Sequence, residues 1–313
     1  MGNDDERRIA ARSVALVLGA GGARGLAHIG VIEELAARGY RLSAIVGSSM
    51  GALVGGIHAA GRLSEYRDWA CALDRGDVLR LLDFAFGHPG LIKGERVIAA
   101  MQDLVGDHRI EDLPLPFVAV ATDLTNQREV WLARGRLFDA IRASIAIPMM
   151  FTPHRLDGRD LVDGGLLAPV PIAATRLFAA DLVIAVDANA QSTLHLRAPE
   201  PMTDVQDAAP DKLSARVHAW FERLMEGKSD TPTQPGLLDL MSRALDTIHA
   251  RMSQMQLALD PPDVLIRIPH DACYFYEFWR AREMIAIGRE AARRALDEFE
   301  RPRGSALGGI DRD

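Results

Sequence analysis

Gly47-Ser48-Ser49-Met50-Gly51 sets a serine midway between two glycines, the G-x-S-x-G spacing of a nucleophile elbow. At such a corner the serine backbone is strained, and a side chain larger than hydrogen at 47 or 51 would collide across the turn. Ser48 lacks the symmetric pair of glycines, which assigns the nucleophile to Ser49. Upstream, Gly19-Ala20-Gly21-Gly22-Ala23-Arg24-Gly25 follows an apolar run and can aim backbone N–H groups at an anion. Downstream, Arg159-Asp160-Leu161-Val162-Asp163-Gly164-Gly165 delivers a carboxylate to a two-glycine turn. Each piece also has a plain reading: a glycine-serine connection, a tight strand-to-helix turn and a hairpin corner, respectively. A dinucleotide fingerprint fails on the glycine loop. With Gly19 and Gly21 as its first two glycines, the third falls on Arg24, and no acidic residue ends the next strand. A Walker loop fails because no Gly-Lys-Ser/Thr follows. What remains is an oxyanion hole, in which N–H groups of Gly21, Gly22, Ala23 and Arg24 hold charge developing on a carbonyl attacked by Ser49.

These residues need elements to carry them. Val14 to Leu18 is a short continuous apolar run, read as a buried strand. Leu26, Ile29, Ile32 and Leu35 line one face of a helix that Gly39 ends. Ser43 to Val46 is the strand before Ser49, and Ala52, Gly55, Gly56, Ala59 and Ala60 make the following helix small enough to lie close to a sheet. Residues 62–100 read as irregularly helical, with Leu79, Leu81, Leu82, Phe84 and Phe86 forming either core or a lipid-receiving wall. Further strands are predicted at Phe117 to Ala121, Glu129 to Leu132, Asp181 to Val186 and Val264 to Ile268, with helices at 137–145 and Glu277 to Glu300. Residues 190–210 are polar and proline-rich, and Leu213, Val217, Trp220, Phe221 and Leu224 form a helical stripe. Leu237, Met241, Leu245, Ile248, Met252, Met255 and Leu259 recur at spacings of three and four, an amphipathic helix. Packing on the parent domain is its first reading. Homo-oligomer formation through the 237–259 helix and bilayer contact are secondary, because its polar face lacks a lysine and arginine excess. Buried strands alternating with amphipathic segments predict one α/β domain over 14–299, a mainly parallel central sheet flanked by helices. Its core motifs occupy 14–190 and its helical C-terminal part 211–299; residues 1–13 and 301–313 are expected to be flexible ends.

Composition narrows the function classes. The 313 residues are 48% hydrophobic and 25% charged, ordinary for a globular protein. A formal charge of −7 disfavours nucleic acid, which is bound through a positive field. Cys71 and Cys273 fall in no metal or redox spacing and are expected to be free thiols in a reducing compartment. The charged start, Met-Gly-Asn-Asp-Asp-Glu-Arg-Arg, is unlike a signal peptide, and no apolar run approaches the roughly 20 residues that span a bilayer. The expectation is a cytoplasmic protein, with peripheral contact at the inner face of the membrane as its one membrane reading. No H-E-x-x-H or other ligand spacing is present, so neither metal nor cofactor is expected.

Together the glycine loop, the elbow and Asp163-Gly164-Gly165 resemble the patatin-like phospholipase family, in family order. Gly25-Leu26-Ala27-His28-Ile29-Gly30-Val31, Ala143-Ser144-Ile145-Ala146-Ile147-Pro148 and Pro261-Pro262-Asp263-Val264-Leu265-Ile266 resemble its bacterial branch related to the catalytic domain of neuropathy target esterase. Ala20 departs from a loop that commonly begins with glycine. The resemblance implies a patatin-like three-layer fold and a Ser-Asp dyad. Ser49 would attack an acyl ester and Asp163 would serve directly as base and orienter, with Gly47, Gly51, Gly164 and Gly165 shaping the turns. An unperturbed aspartate, near pKa 3.9, is a poor base, so preorganised donors and exclusion of water must compensate. Under this reading His195, His218, His249 and His270 are surface or helix histidines, and His28 and His58 are packing residues. Arg24 could guide a phosphate or neutralise the oxyanion, its N–H mattering more than its guanidinium. The implied substrate is a fatty-acyl ester of a lysophospholipid or phospholipid. Acyl transfer to another acceptor, or a lipid-sensing adaptor without turnover, are the alternatives.

Overall fold

The structure is a computed structural model describing residues 12–83, 92–191 and 237–301. The predicted flexible ends up to residue 11 and from 302, Phe84 and Phe86, His195, His218 and the 213–224 stripe lie outside these residues.

Five strands are parallel: β1 (Ser13–Leu18), β2 (Arg41–Ser48), β3 (Phe117–Asp123), β7 (Leu182–Ala190) and β8 (Val264–Pro269). With antiparallel β4 (Arg128–Leu132), β5 (His154–Leu156) and β6 (Arg159–Asp163) they form one eight-stranded sheet. Its order is β5-β6-β3-β2-β1-β7-β8, with β4 also paired to β3. β1 is buried along almost its whole length, as a central parallel strand covered on both faces must be. Because β2 pairs on one side of β1 and β7 on the other, the carboxyl end of β1 opens at a change of winding direction, where α/β sheets leave a crevice. The glycine loop lies there.

The helices are α1 (Ala27–Ala37), α2 (Met50–Ala59), α3 (Leu63–Ala72), α4 (Arg75–Leu81), α5 (Glu95–Val105), α6 (Leu137–Ser144), α7 (Leu237–Leu259) and α8 (Ala281–Glu300); α3 to α5 divide the stretch expected to be irregularly helical into three separate helices, the last running on to Val105. Leu26, Ile29, Ile32 and Leu35 are all buried. α2 is buried on nearly every side, so its small residues are what let it sit between β2, β3 and the glycine loop. α7 packs on the domain through Gln256, which accepts from the Val170 N–H at 3.2 Å and donates to the Leu167 carbonyl at 2.9 Å. Ile248, Met255 and Leu259 of its stripe remain exposed.

Three boundaries differ from expectation. β7 runs on to Ala190, past the expected end at Val186, with a register shift against β8 between Asp187 and Ala190. The closing helix is preceded by a separate 3-10 turn, Phe278–Arg280. The hairpin corner falls at Asp157-Gly158, both at positive φ, joining β5 to β6, a two-residue Asp-Gly turn that the sequence displays openly. Asp163-Gly164-Gly165 instead leads β6 into the 3-10 turn Gly164–Leu166.

α1 and α8 cross at two glycines. A Cβ on Gly30 would collide with the Ile285 carbonyl, and one on Gly288 with the Ala27 carbonyl. Backbone cannot move aside as a side-chain tip can, so Gly30→Ala or Gly288→Ala should each lower stability by about 2–3 kcal/mol. Since either change forces the same two helices apart, the double variant should cost clearly less than the sum of the two. Denaturant titration of the four proteins measures this, and full additivity would show that the sites do not share one contact.

Candidate active site

β2 ends at Ser48 and α2 begins at Met50, leaving Ser49 alone at the corner with φ 54° and ψ −122°. No ordinary serine rests there, and a Cβ on Gly47 would strike the backbone of Gly51 across the turn. The Ser49 N–H donates to Ser144 Oγ at 2.9 Å, and that hydroxyl donates to the Val120 carbonyl at 2.6 Å. Ser144, fully buried at the end of α6, therefore fastens the corner to β3.

β3 also brings the acid to the serine. β4 occupies one edge of β3 from Ala119 to Asp123, so β2 and β6 must share the other. On that shared edge β2 pairs as far as Ser48 with Val120, and β6 takes over with Asp163 opposite Ala121. Nucleophile corner and carboxylate thus fall at successive positions along one strand. The Ser49 hydroxyl donates to Asp163 Oδ2 at 2.6 Å, Gly165 N–H donates to Oδ1 at 2.6 Å, and Thr122 Oγ1 donates to the Asp163 carbonyl at 3.0 Å. Both side chains are buried, at 4% and 3% exposure. Burial outweighs the two hydrogen bonds and pushes the Asp163 carboxyl up to about 7.

The glycine loop is gripped from behind. Three successive carbonyls each meet a side chain: Gly19 accepts from His28 Nε2 at 2.8 Å, Ala20 from Asn189 Nδ2 at 2.7 Å, and Gly21 from Arg24 Nε at 3.1 Å. His28 is wholly buried and burial pushes it down to about 4, so it is a neutral donor. The expectation that it merely packs is corrected by this bond. Arg24 also donates to the His270 carbonyl at 2.8 Å and pairs with Asp246 of α7 at 3.0 Å. Its guanidinium is committed to holding the loop and does not reach for a substrate phosphate.

Of the four amides assigned to the oxyanion hole, two are occupied. Ala23 N–H donates to the Phe275 carbonyl at 2.8 Å and Arg24 N–H to that of Gly21 at 3.2 Å. Those of Gly21 and Gly22 have no backbone or side-chain acceptor among the described residues, which leaves these two of the four unengaged. Ala20 takes no positive φ and uses its N–H on the Pro169 carbonyl, so the departure from glycine leaves the loop intact. Gly164 and Gly165 are buried beside the acid, a Cβ on Gly165 falling 2.8 Å from Ala20 Cβ and 3.4 Å from His249 Nε2. His249, read as an ordinary helix histidine, is thus largely buried near the site, and His270 engages the Ala190 carbonyl. Of Ser144, Thr122 and Asn189, functional residues that sequence spacing does not single out, only Ser144 carries a signal in the sequence, its place in Ala143 to Pro148. Among the described residues no group of three or more His, Cys, Asp or Glu could hold a metal, and no helix is long and apolar enough to cross a membrane.

The patatin-like phospholipase profile matches residues 16–176, more than half of the chain, from within β1 to beyond Asp163. The chain belongs to the patatin-like phospholipase family. A protein of Mycobacterium tuberculosis (strain H37Rv) named an uncharacterized NTE family protein is 41% identical, the match covering 92% of each chain. Lysophospholipase NTE1 of Pyricularia oryzae is 27% identical over 90% of this chain but only 18% of its own greater length. Among solved structures, VipD from Legionella pneumophila covers 92% of this chain and 67% of its own, with a TM-score of 0.42 and 14% identity. As a patatin-like phospholipase with NTE relatives, the chain is a lipid hydrolase.

The raised Asp163 pKa has a stability consequence. The folded protein keeps a proton that the unfolded chain releases near pH 3.8, so this residue's contribution to stability declines as pH rises from about 4 to about 7. Asp163→Asn should match wild type near pH 4 and exceed it above pH 7, by on the order of 2–4 kcal/mol. Thermal denaturation of both proteins across that range checks the sign; a gap independent of pH would mean the carboxyl titrates normally.

Proposed function

We propose that this chain hydrolyses fatty-acyl esters of lysophospholipids or phospholipids through a Ser49-Asp163 dyad and an acyl-serine intermediate. The observation that carries the reading is the 2.6 Å hydrogen bond from the Ser49 hydroxyl to Asp163 Oδ2 in a site nearly closed to water. Ser49 Oγ bonds to the acyl carbon while its proton passes to Asp163, and the carbonyl π pair settles on oxygen before the Gly21 and Gly22 amides. Collapse breaks the bond to the glycerol oxygen, which takes the proton from Asp163. Water then attacks the acyl-serine, gives a proton to Asp163, and the second collapse returns that proton to Ser49 as the fatty acid leaves. An acid near pKa 7 suits both halves, since it accepts at neutral pH and gives back readily. The lysophospholipid preference rests on the NTE relatives named lysophospholipases.

A fluorophosphonate probe should label wild type and leave Ser49→Ala unlabelled. Asp163→Asn should lower turnover by about 10³–10⁴-fold, the scale seen when the acid of a serine hydrolase is neutralised. Because Asp163 must be ionised to accept a proton, kcat/KM of wild type should rise with pH, reach half its limit near pH 7 and then level off. In a panel of lysophosphatidylcholine, a diacyl phosphatidylcholine and p-nitrophenyl butyrate, fatty acid should leave the lysophospholipid fastest. Near-normal turnover by Asp163→Asn would remove the dyad, and Ser49-independent hydrolysis would remove the reading altogether.

A further inference from the structure

We infer that Asn189, at the far end of β7, is a positioning residue that aims the Gly21 amide at the developing oxyanion. The inference rests on the hydrolase reading above and deepens it.

Among the described residues the peptide bonds are trans, and in a trans peptide the C=O of one residue and the N–H of the next point in opposite directions. Whatever holds the Ala20 carbonyl therefore also sets the direction of the Gly21 N–H. Asn189 Nδ2 holds it at 2.7 Å, and the amide orientation is unambiguous because only the nitrogen end of the side chain can donate to a carbonyl. Asn189 is itself buried, at 4% exposure. Its partner amide, on Gly21, is one of the two in the loop that meet no protein acceptor among the described residues.

The chain goes to some length to put Asn189 there. A regular β7 would keep the register set by Ile184 with Val264 and Val186 with Ile266, but it shifts between Asp187 and Ala190. Such irregularities re-aim side chains near active sites. The Asn189 N–H donates to Asp187 Oδ1 at 3.0 Å, fixing the local turn two residues along. Ala188 then lies against Gly21, where a Cβ would come within 2.7 Å of the Ala188 Cβ, so strand end and loop are packed without slack. Arg24 does for the next peptide what Asn189 does for this one: its Nε holds the Gly21 carbonyl and so directs the Gly22 N–H. Asn189 differs in standing 169 residues away from the carbonyl it holds, on another strand. Among the described residues its side chain hydrogen-bonds the Ala20 carbonyl and nothing else, so it acts through the peptide that carries the Gly21 N–H.

Asn189→Asp is the sharpest test, since it keeps the shape and turns a donor into an acceptor facing a carbonyl. Direct loss of one oxyanion donor costs about 10²–10³ in rate. Mis-aiming one should lower kcat on p-nitrophenyl butyrate by about 10–100-fold with KM within about twofold. Affinity for an alkyl trifluoromethyl ketone, whose Ser49 adduct carries the tetrahedral oxyanion, should fall by a similar factor. Affinity for a non-hydrolysable ether lysophospholipid, which develops no such charge, should not change. If the aspartate variant shows a lowered melting temperature, Asn189→Ala removes the donor without adding charge and should give the same pattern. Wild-type kcat in a folded variant, or equal weakening of the ketone and the ether lipid, overturns the positioning role while leaving the hydrolase reading in place. A wild-type enzyme that no trifluoromethyl ketone inhibits, or turnover that survives Ser49→Ala, overturns the hydrolase reading instead.

Discussion

The backbone of Ser49 is the constraint on which the site depends. A residue at φ 54° and ψ −122° stores strain of about 1–3 kcal/mol and persists only where its surroundings over-determine it. Here a fully buried strand end leads in, a buried helix leads out, glycines stand where side chains would collide, and Ser144 ties the N–H to the neighbouring strand. The strain lifts the hydroxyl clear of both elements. β3 then fixes its distance from the acid by lending one edge to β2 and β6 in succession.

Electrostatics around the acid are arranged by omission. An arginine paired with Asp163 would hold it ionised and weaken it as a base. Arg24, which lies in the neighbouring loop, is spent on two carbonyls and Asp246. What remains at Asp163 is burial opposed by two neutral donors, Ser49 and Gly165, and burial prevails. The carboxyl thereby holds a proton more strongly than an ordinary aspartate does.

Much of this was legible in the chain because it is written locally. Strand runs, helix stripes, the glycine-flanked serine and Asp163-Gly164-Gly165 each declare themselves within a few residues, and the family order joins them. The roles of Asn189, Thr122 and Arg24 were not legible, since each depends on a partner that sequence spacing cannot supply. Ala23 illustrates the same limit from the other side. Its amide looks available in a glycine-rich loop and is taken by Phe275, more than 250 residues later. His28 on its apolar helix face signals burial and says nothing of the carbonyl it meets. The hairpin at Asp157-Gly158 is written plainly in the sequence, whereas the same dipeptide at Asp163-Gly164 leads into a 3-10 turn, a difference the dipeptide alone does not carry.

The glycine loop is built from the first tenth of the chain, yet its holders arrive late. Asn189 ends β7, Asp246 lies on α7, His270 and Phe275 follow β8, and α8 clasps the helix that grows out of the loop. During vectorial synthesis the elbow is therefore translated long before anything can shape the cradle opposite it. A nascent chain therefore carries Ser49 in an unfinished setting until α8, which clasps α1, has itself been made.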